Sequence, residues 1–196
     1  MRESGSSSTN PPAVPVRHRF TVEQFHRMAE TGVLDPQVRV ELIDGEIIEM
    51  TPIGAGHAGT VTRATGVFSR GLGGRAEVSV QNPVILDGTS EPQPDLVLLR
   101  PKPSSYTDAH PVPEDIFLVV EVSDTTLLYD RNIKLPRYAA AGVREVWIID
   151  LGARTVEVCR RPHSGNYTER RILHKGESLS VEALPGWEGL VEDFLV

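Results

Sequence analysis

The chain has 196 residues, with 20 Lys and Arg against 27 Asp and Glu for a net charge of −7, and 39% of it is hydrophobic. That length and composition predict one globular domain, large enough to bury a core without staples. A single cysteine excludes a disulfide framework and a cysteine-rich zinc site, no apolar run approaches the ~20 residues of a membrane span, and the acidic balance argues against coating nucleic acid by bulk charge.

Residues 1–16 are rich in Ser, Pro, Gly and Asn. They cannot offset their ordering entropy and predict a disordered tail ahead of a single domain over 17–196. They lack the apolar stretch of a secretory signal, so the expected location is the cytoplasm. Thr21 to Gln24 read as a capping box, with Phe20 and Phe25 at the staple positions and a helix end near Gly32. Residues 38–43 predict a strand, Asp44-Gly45 a hairpin turn and residues 46–50 the return strand. Val61, Ala64, Thr65, Phe68 and Leu72 recur at helical spacing within 57–72. Strands are expected over 76–86 and 95–100, a loop over 102–114, and the most β-like run over 116–122. A helix over about 130–141 follows, kinked or tightened by Pro136 and closed by Gly142. Residues 143–149 predict a buried strand, 155–160 its hairpin partner, and the segment from Tyr167 short strands. The sum is an α/β (α+β) fold, a mixed central sheet flanked by helices.

Four residues stand out against that frame. Glu121 lies inside Ile116-Phe117-Leu118-Val119-Val120-Glu121-Val122, a run typical of a strand buried on both faces. A carboxylate there must be paired, bind a metal or point off an edge; a strand-end glutamate in water or a structural ion pair is the plain alternative. Asp95 follows Pro92-Gln93-Pro94 at the start of an apolar strand, reads alone as a turn residue, and gains weight only beside Glu121. Glu41 shares a strand face with Arg39 and Ile43, and alternation alone describes a solvated Arg39–Glu41 face. Lys134 shares a helix face with Asp130 and Tyr138, which alone describes a solvated lysine. Together, three acids from separate strands and one lysine suit a Mg²⁺ or Mn²⁺ site. Such a site activates water against a phosphate while the lysine offsets charge.

Four blocks carry a resemblance. Val40-Glu41-Leu42-Ile43-Asp44-Gly45-Glu46, Pro94-Asp95-Leu96-Val97, Val120-Glu121-Val122-Ser123 and Lys134-Leu135-Pro136-Arg137-Tyr138-Ala139-Ala140-Ala141-Gly142 occur in that order. They resemble the PD-(D/E)xK, or restriction-endonuclease-like, nuclease superfamily, and within it a bacterial restriction-endonuclease branch, from about Phe20 to near the C-terminus. The resemblance implies a metal-dependent endonuclease acting on DNA. Asp95 and Glu121 would be ligands of Mg²⁺ or Mn²⁺, Glu41 a further acid near the metal, and Lys134 the catalytic lysine. His57, which opens the second helix, and Tyr138 are auxiliary candidates; His57 there faces a phosphate, a metal-bound water or only the helix N-terminus. The chain departs from the pattern at Ser123, where the superfamily places its lysine on the same strand as the glutamate. Lys134 would have to reach back from the following helix. A homodimer is allowed by analogy, since cutting both strands takes two active sites.

Asp44 and Glu46 flank a turn and read as solvated, and Cys159 reads as a packing residue. Arg63, Arg70 and Arg75 read as either a phosphate-facing patch or a solvated face. Ser123 keeps a second reading open, a catalytically degenerate nuclease-fold protein that binds nucleic acid or regulates. A third is a structural module whose acids are surface groups.

Overall fold

Thr21 caps the first helix, α1 (Val22–Glu30): its side chain accepts from the Gln24 N–H while the Gln24 side chain accepts from the Thr21 N–H. The computed structural model describes residues 16–195, so the tail expected over 1–16 lies, but for Val16, outside the described residues. Phe20 and Phe25 pack with Val22 and Leu42, as the staple positions require. The hairpin follows as β1 (Val40–Ile43) and β2 (Glu46–Glu49), antiparallel and separate from the main sheet. Asp44 and Gly45 turn it with φ of 50° and 74°, the left-handed pair that a two-residue hairpin loop demands. The second helix, α2, runs Ala55–Gly71 and buries Val61, Ala64 and Phe68.

The central sheet has six strands: β3 (Glu77–Val80), β4 (Leu96–Leu99), β5 (Ile116–Ser123), β6 (Glu145–Asp150), β7 (Thr155–His163) and β8 (Asn166–Leu173). They lie side by side in that order, antiparallel except for β5 and β6. The parallel pair needs a crossover, and the third helix, α3, supplies it over residues 127–140. Two short strands, β9 (Ser178–Ser180) and β10 (Glu188–Leu190), form a hairpin near the C-terminus.

Alternation along the inner strands builds a core on each face of the sheet. Leu96, Leu98, Leu118, Val120, Val122, Trp147 and Ile149 join α2 and the C-terminal segment. Val97, Leu99, Val119, Val146 and Ile148 join α3. Phe68, Trp147, Trp187 and Phe194 pack ring against ring on the α2 side, with centroids 5.1 to 6.3 Å apart.

Three expected elements differ. The strand expected over 76–86 stops at Val80, because Gln81 takes a φ of 52° and turns the chain, its N–H donating to the Asp95 carbonyl. The segment from Tyr167 begins with an eight-residue strand rather than a short one, since β8 pairs with β7 from His163 to Val156. Pro136 does not tighten α3. The helix is α-helical at Leu127–Tyr129, widens to a π-helix over Asp130–Lys134, and resumes at Leu135–Ala140. Proline lacks the N–H that would close an α-turn onto Asn132. Just before it, the Leu135 N–H reaches back five residues to the Asp130 carbonyl.

The hairpin turn gives a stability test. A Cβ on Gly45 would stand 2.6 Å from Arg19 Cβ and 2.9 Å from the Phe20 carbonyl oxygen, at a positive φ. Gly45→Ala should cost about 1–3 kcal/mol, a melting temperature lower by roughly 4–8 °C for a 2 kcal/mol loss. Gly88→Ala, where nothing lies within 4 Å of the added carbon, is the control. Equal melting temperatures for the two variants would show that the turn is not constrained in this way.

Candidate active site

The alternation that builds the two cores also places the acids. On β5, Val120 and Val122 face α2, so Glu121 between them faces α3 with Val119. On β4, Leu96 faces α2, so Asp95 before it also turns toward α3. The register pairs Leu96 with Val120. One step beyond, Asp95 and Glu121 stand side by side, and Asp95 Oδ2 accepts the Val122 N–H at 2.9 Å. Both line a cavity of about 320 Å³ that also touches Glu41, His57, Tyr129, Asp130 and Lys134.

Lys134 closes the far wall. Its Nζ lies 2.7 Å from Glu121 Oε1 and 3.5 Å from Glu41 Oε2, and its side chain is only 4% exposed. It is the last residue of the π-helical segment. Glu121 Oε1 also accepts the Tyr138 hydroxyl at 2.6 Å. Glu41 is buried rather than solvated: Oε1 accepts the Tyr129 hydroxyl at 3.0 Å and Oε2 the Gln93 N–H at 3.0 Å. Ser123, at the position of the superfamily's strand lysine, is fully buried. It donates to Asp130 Oδ2 at 2.7 Å, which also accepts the Thr126 hydroxyl.

Burial sets the electrostatics. It pushes the Glu121 carboxyl up to about 8, against the pull of Lys134 and with a further push from Asp130 and Asp95. Burial would neutralise Lys134, yet Glu121, Glu41 and Asp130 hold its ammonium above the ordinary lysine range. We take the site as one buried cation shared among acids, with Lys134 charged. Asp95 behaves differently. Burial would raise it, but the His57 hydrogen bond and charge, the Val122 N–H and Lys134 bring it below the usual range. His57 Nε2 lies 2.7 Å from Asp95 Oδ1, and that bond raises the imidazole.

His57 lies in the first turn of α2 and pairs with a carboxylate, a contact the sequence did not offer. Asp44 pairs with Arg137 outside the cavity. Arg63 and Arg75 stay exposed while donating to the carbonyls of Leu195 and Pro185, which ties them to the C-terminal segment. Cys159 is buried in the α3-side core. Three groups at the cavity went unassigned in the sequence. Arg39 lines it and donates to Gln93 at 2.9 Å, Tyr129 holds Glu41, and the Gln93 N–H holds the same carboxylate. Arg39 had a signal, its shared strand face with Glu41; Tyr129 and Gln93 had none, since their partner lies 88 and 52 residues away.

The donor chemistry fits a hard dication. Asp95 and Glu121 offer carboxylate oxygens on one sheet face, suited to Mg²⁺ or Mn²⁺. Glu41 stands at one remove, behind the lysine that bridges it to Glu121.

Removing the cation should be costly. Lys134→Met leaves Glu121 and Glu41 buried without their shared counter-charge, a loss of about 3–5 kcal/mol, read by urea unfolding in EDTA. Adding Glu121→Gln should restore much of it. A Lys134→Met protein as stable as wild type would mean the ion pair does not hold this site together.

Comparison with known proteins agrees with the fold. A solved structure described as a putative nuclease belonging to DUF820, from Anabaena variabilis, superposes with a TM-score of 0.67 at 14% identity, covering 89% of this chain and 97% of that one. At that identity the likeness shows the fold alone. No curated protein matches the chain. The family model Uma2, described as "Putative restriction endonuclease", matches residues 22–192, and the chain belongs to that family.

Proposed function

We propose that the protein is a divalent-metal-dependent endonuclease that hydrolyses phosphodiester bonds in DNA. The observation that carries this reading is Lys134: its ammonium turns into a cavity between two carboxylates, Glu121 and Glu41, with Asp95 beside them on the same sheet face. Membership of a restriction-endonuclease family supports the reaction class.

A bound Mg²⁺ or Mn²⁺ would polarise a phosphate oxygen and lower the pKa of a water. Asp95 and Glu121 would hold it. His57 fixes the Asp95 carboxylate by occupying Oδ1. Lys134 orients Glu121 and sets a compact positive charge where a phosphate gathers negative charge. Substrate entry needs local positive charge on a chain of net charge −7. Arg39 lines the cavity, and the N-terminus of α2 reaches it through Gly54 and His57 without a side-chain cap. The unsatisfied N–H groups and dipole of such an end favour an anion.

The degenerate-site reading rests on Ser123. That hydroxyl is committed to Asp130, and the π-turn brings the amine of Lys134 to the same glutamate from the helix. The group that the strand lacks is supplied elsewhere, which favours the catalytic reading. Duplex cleavage would take two copies of the site, hence a homodimer on DNA.

The direct test is an assay on supercoiled plasmid after EDTA treatment, with Mg²⁺ or Mn²⁺ restored. Wild type should nick and linearise the plasmid, and Glu121→Ala and Asp95→Asn should not. Lys134→Ala should cut turnover by about 10²-fold or more, the scale of losing one transition-state charge partner, and Lys134→Arg should not rescue fully. Undiminished cleavage by Glu121→Ala would overturn the assignment.

Metal binding can be read without activity. With about 10 mM Mg²⁺ and a dissociation constant of about 1 mM, linkage gives roughly 1.4 kcal/mol of stabilisation, a rise in melting temperature of roughly 3–6 °C. At matched ionic strength, the Asp95→Asn, Glu121→Gln double variant should lose that rise. An equal rise in both proteins would place the metal effect elsewhere.

A further inference from the structure

Outside the cavity, two imidazoles and one carboxylate from three separate segments converge. His26 comes from α1, Glu91 from the chain between β3 and β4, and His110 from the loop after β4. Among the described residues, this is the set of three His, Cys, Asp or Glu side chains whose ligand atoms all lie within 4.8 Å of one another. We propose that His26, Glu91 and His110 bind a zinc-class dication.

The geometry suits that ion. Zinc–ligand bonds of about 2.0–2.2 Å in tetrahedral array put ligand atoms about 3.4 Å apart, so closing the present spacing takes side-chain adjustment rather than a change of fold. Glu91 is the fixed member. It is 4% exposed, and its N–H and carbonyl both pair with Leu42 of β1. His26 Nε2 already lies 2.6 Å from Glu91 Oε2, a contact bridged by a proton that a metal would replace. His110 meets His26 edge-on with ring centroids 5.9 Å apart. Its backbone is held by the neighbouring residue, since the Ile85 N–H donates to the Pro111 carbonyl at 2.9 Å.

Ligand type separates this site from the cavity. Two imidazole nitrogens and one carboxylate oxygen select zinc and its neighbours over Mg²⁺ and Ca²⁺, which favour oxygen. Three protein ligands leave a fourth position for water. None of the three residues lines the catalytic cavity. The two sites nevertheless share a frame: Leu42, the partner of Glu91, follows Glu41, and the N–H of Gln93, two residues past Glu91, holds the Glu41 carboxylate. A metal here would clamp α1, the Glu91 segment and the His110 loop around the hairpin that carries Glu41.

The test uses the full chain, stripped with EDTA, freed of chelator and titrated with Zn²⁺ against a chromophoric chelator. Wild type should take up one equivalent at this site, raise its melting temperature with equimolar Zn²⁺ but not equimolar Mg²⁺, and show tetrahedral d–d absorption when Co²⁺ replaces Zn²⁺. His110→Ala, an exposed loop change that leaves the His26–Glu91 pair intact, should weaken Zn²⁺ by more than the 10–100-fold that outer-shell partners cost. His26→Asn should do the same. His57→Ala should leave this binding in place, which separates it from any zinc at the cavity. Zn²⁺ affinity in a His26→Asn, His110→Ala double variant equal to that of wild type, or loss of the zinc in His57→Ala alone, would overturn the proposal.

Discussion

The structure around the cavity depends on one buried cation. Lys134 stands between Glu121 and Glu41 with almost no access to water, where the ammonium and the carboxylates each have a desolvation cost of several kcal/mol. None of the three can be buried alone. Glu121 holds the lysine to the sheet, and Glu41 holds it to a hairpin that is not part of that sheet. The hydroxyls of Tyr138 and Tyr129 each donate to one oxygen of these acids, so the network is hydrogen-bonded on both sides of the charge. Specific geometry, rather than net stability, is what such a network contributes.

The π-turn of α3 is the backbone counterpart of that ion pair. A strand lysine at position 123 would reach the glutamate through the strand's own alternation. Moving the amine to a helix requires the helix to present both Lys134 and Tyr138 to one carboxylate, with Asp130 turned to Ser123. Widening over Asp130–Lys134 places the acid and the lysine, both buried, on the sheet side, and Pro136 makes the regular alternative less favourable at the point where the widening ends. π-turns often occur at functional sites. Here one has a local cause and a local use. Arg137 adds to it, its guanidinium donating to the Ile133 carbonyl at 2.8 Å and pairing with Asp44 at the hairpin turn, a link between helix and hairpin beyond those of Tyr129 and Lys134 to Glu41.

What could be read from the sequence was what is decided within a few residues. The capping box at Thr21, the turn at Asp44-Gly45 and the anomaly of Glu121 within an apolar strand are all local. Alternation placed Glu41 on a named strand face but could not say what covers that face. Its partners come from Gln93, Tyr129 and Lys134, which only the folded chain brings near. The early end of β3 was hidden because the apolar pattern continues through Val84 and Leu86, whereas a positive φ at Gln81 redirects the backbone. Arg63 was legible as part of a helix face but not as a donor to the carbonyl of Leu195, 132 residues on. His26, Glu91 and His110 carried no shared motif at all, since 65 residues separate the first two.

Position on the sheet explains how an acidic chain can still gather basic side chains around one cleft. Asp95 and Glu121 occupy adjacent antiparallel strands at one sheet end, where the polypeptide leaves β5 for α3 and where α2 begins. The basic side chains that line the cavity are each placed by a different element: Lys134 by the π-turn, His57 by the first turn of α2, Arg39 by the residue before β1. Each is held by an acid or an amide of the site, so its direction is fixed by the fold. A surface patch of lysines would attract any polyanion and fade with salt. Charged groups fixed against buried partners are screened much less, and under the proposed function they would distinguish a phosphate seated at Asp95 and Glu121 from one passing along the surface. The net charge of the chain and the charge of its cleft are therefore separate quantities, and the second is set by the fold.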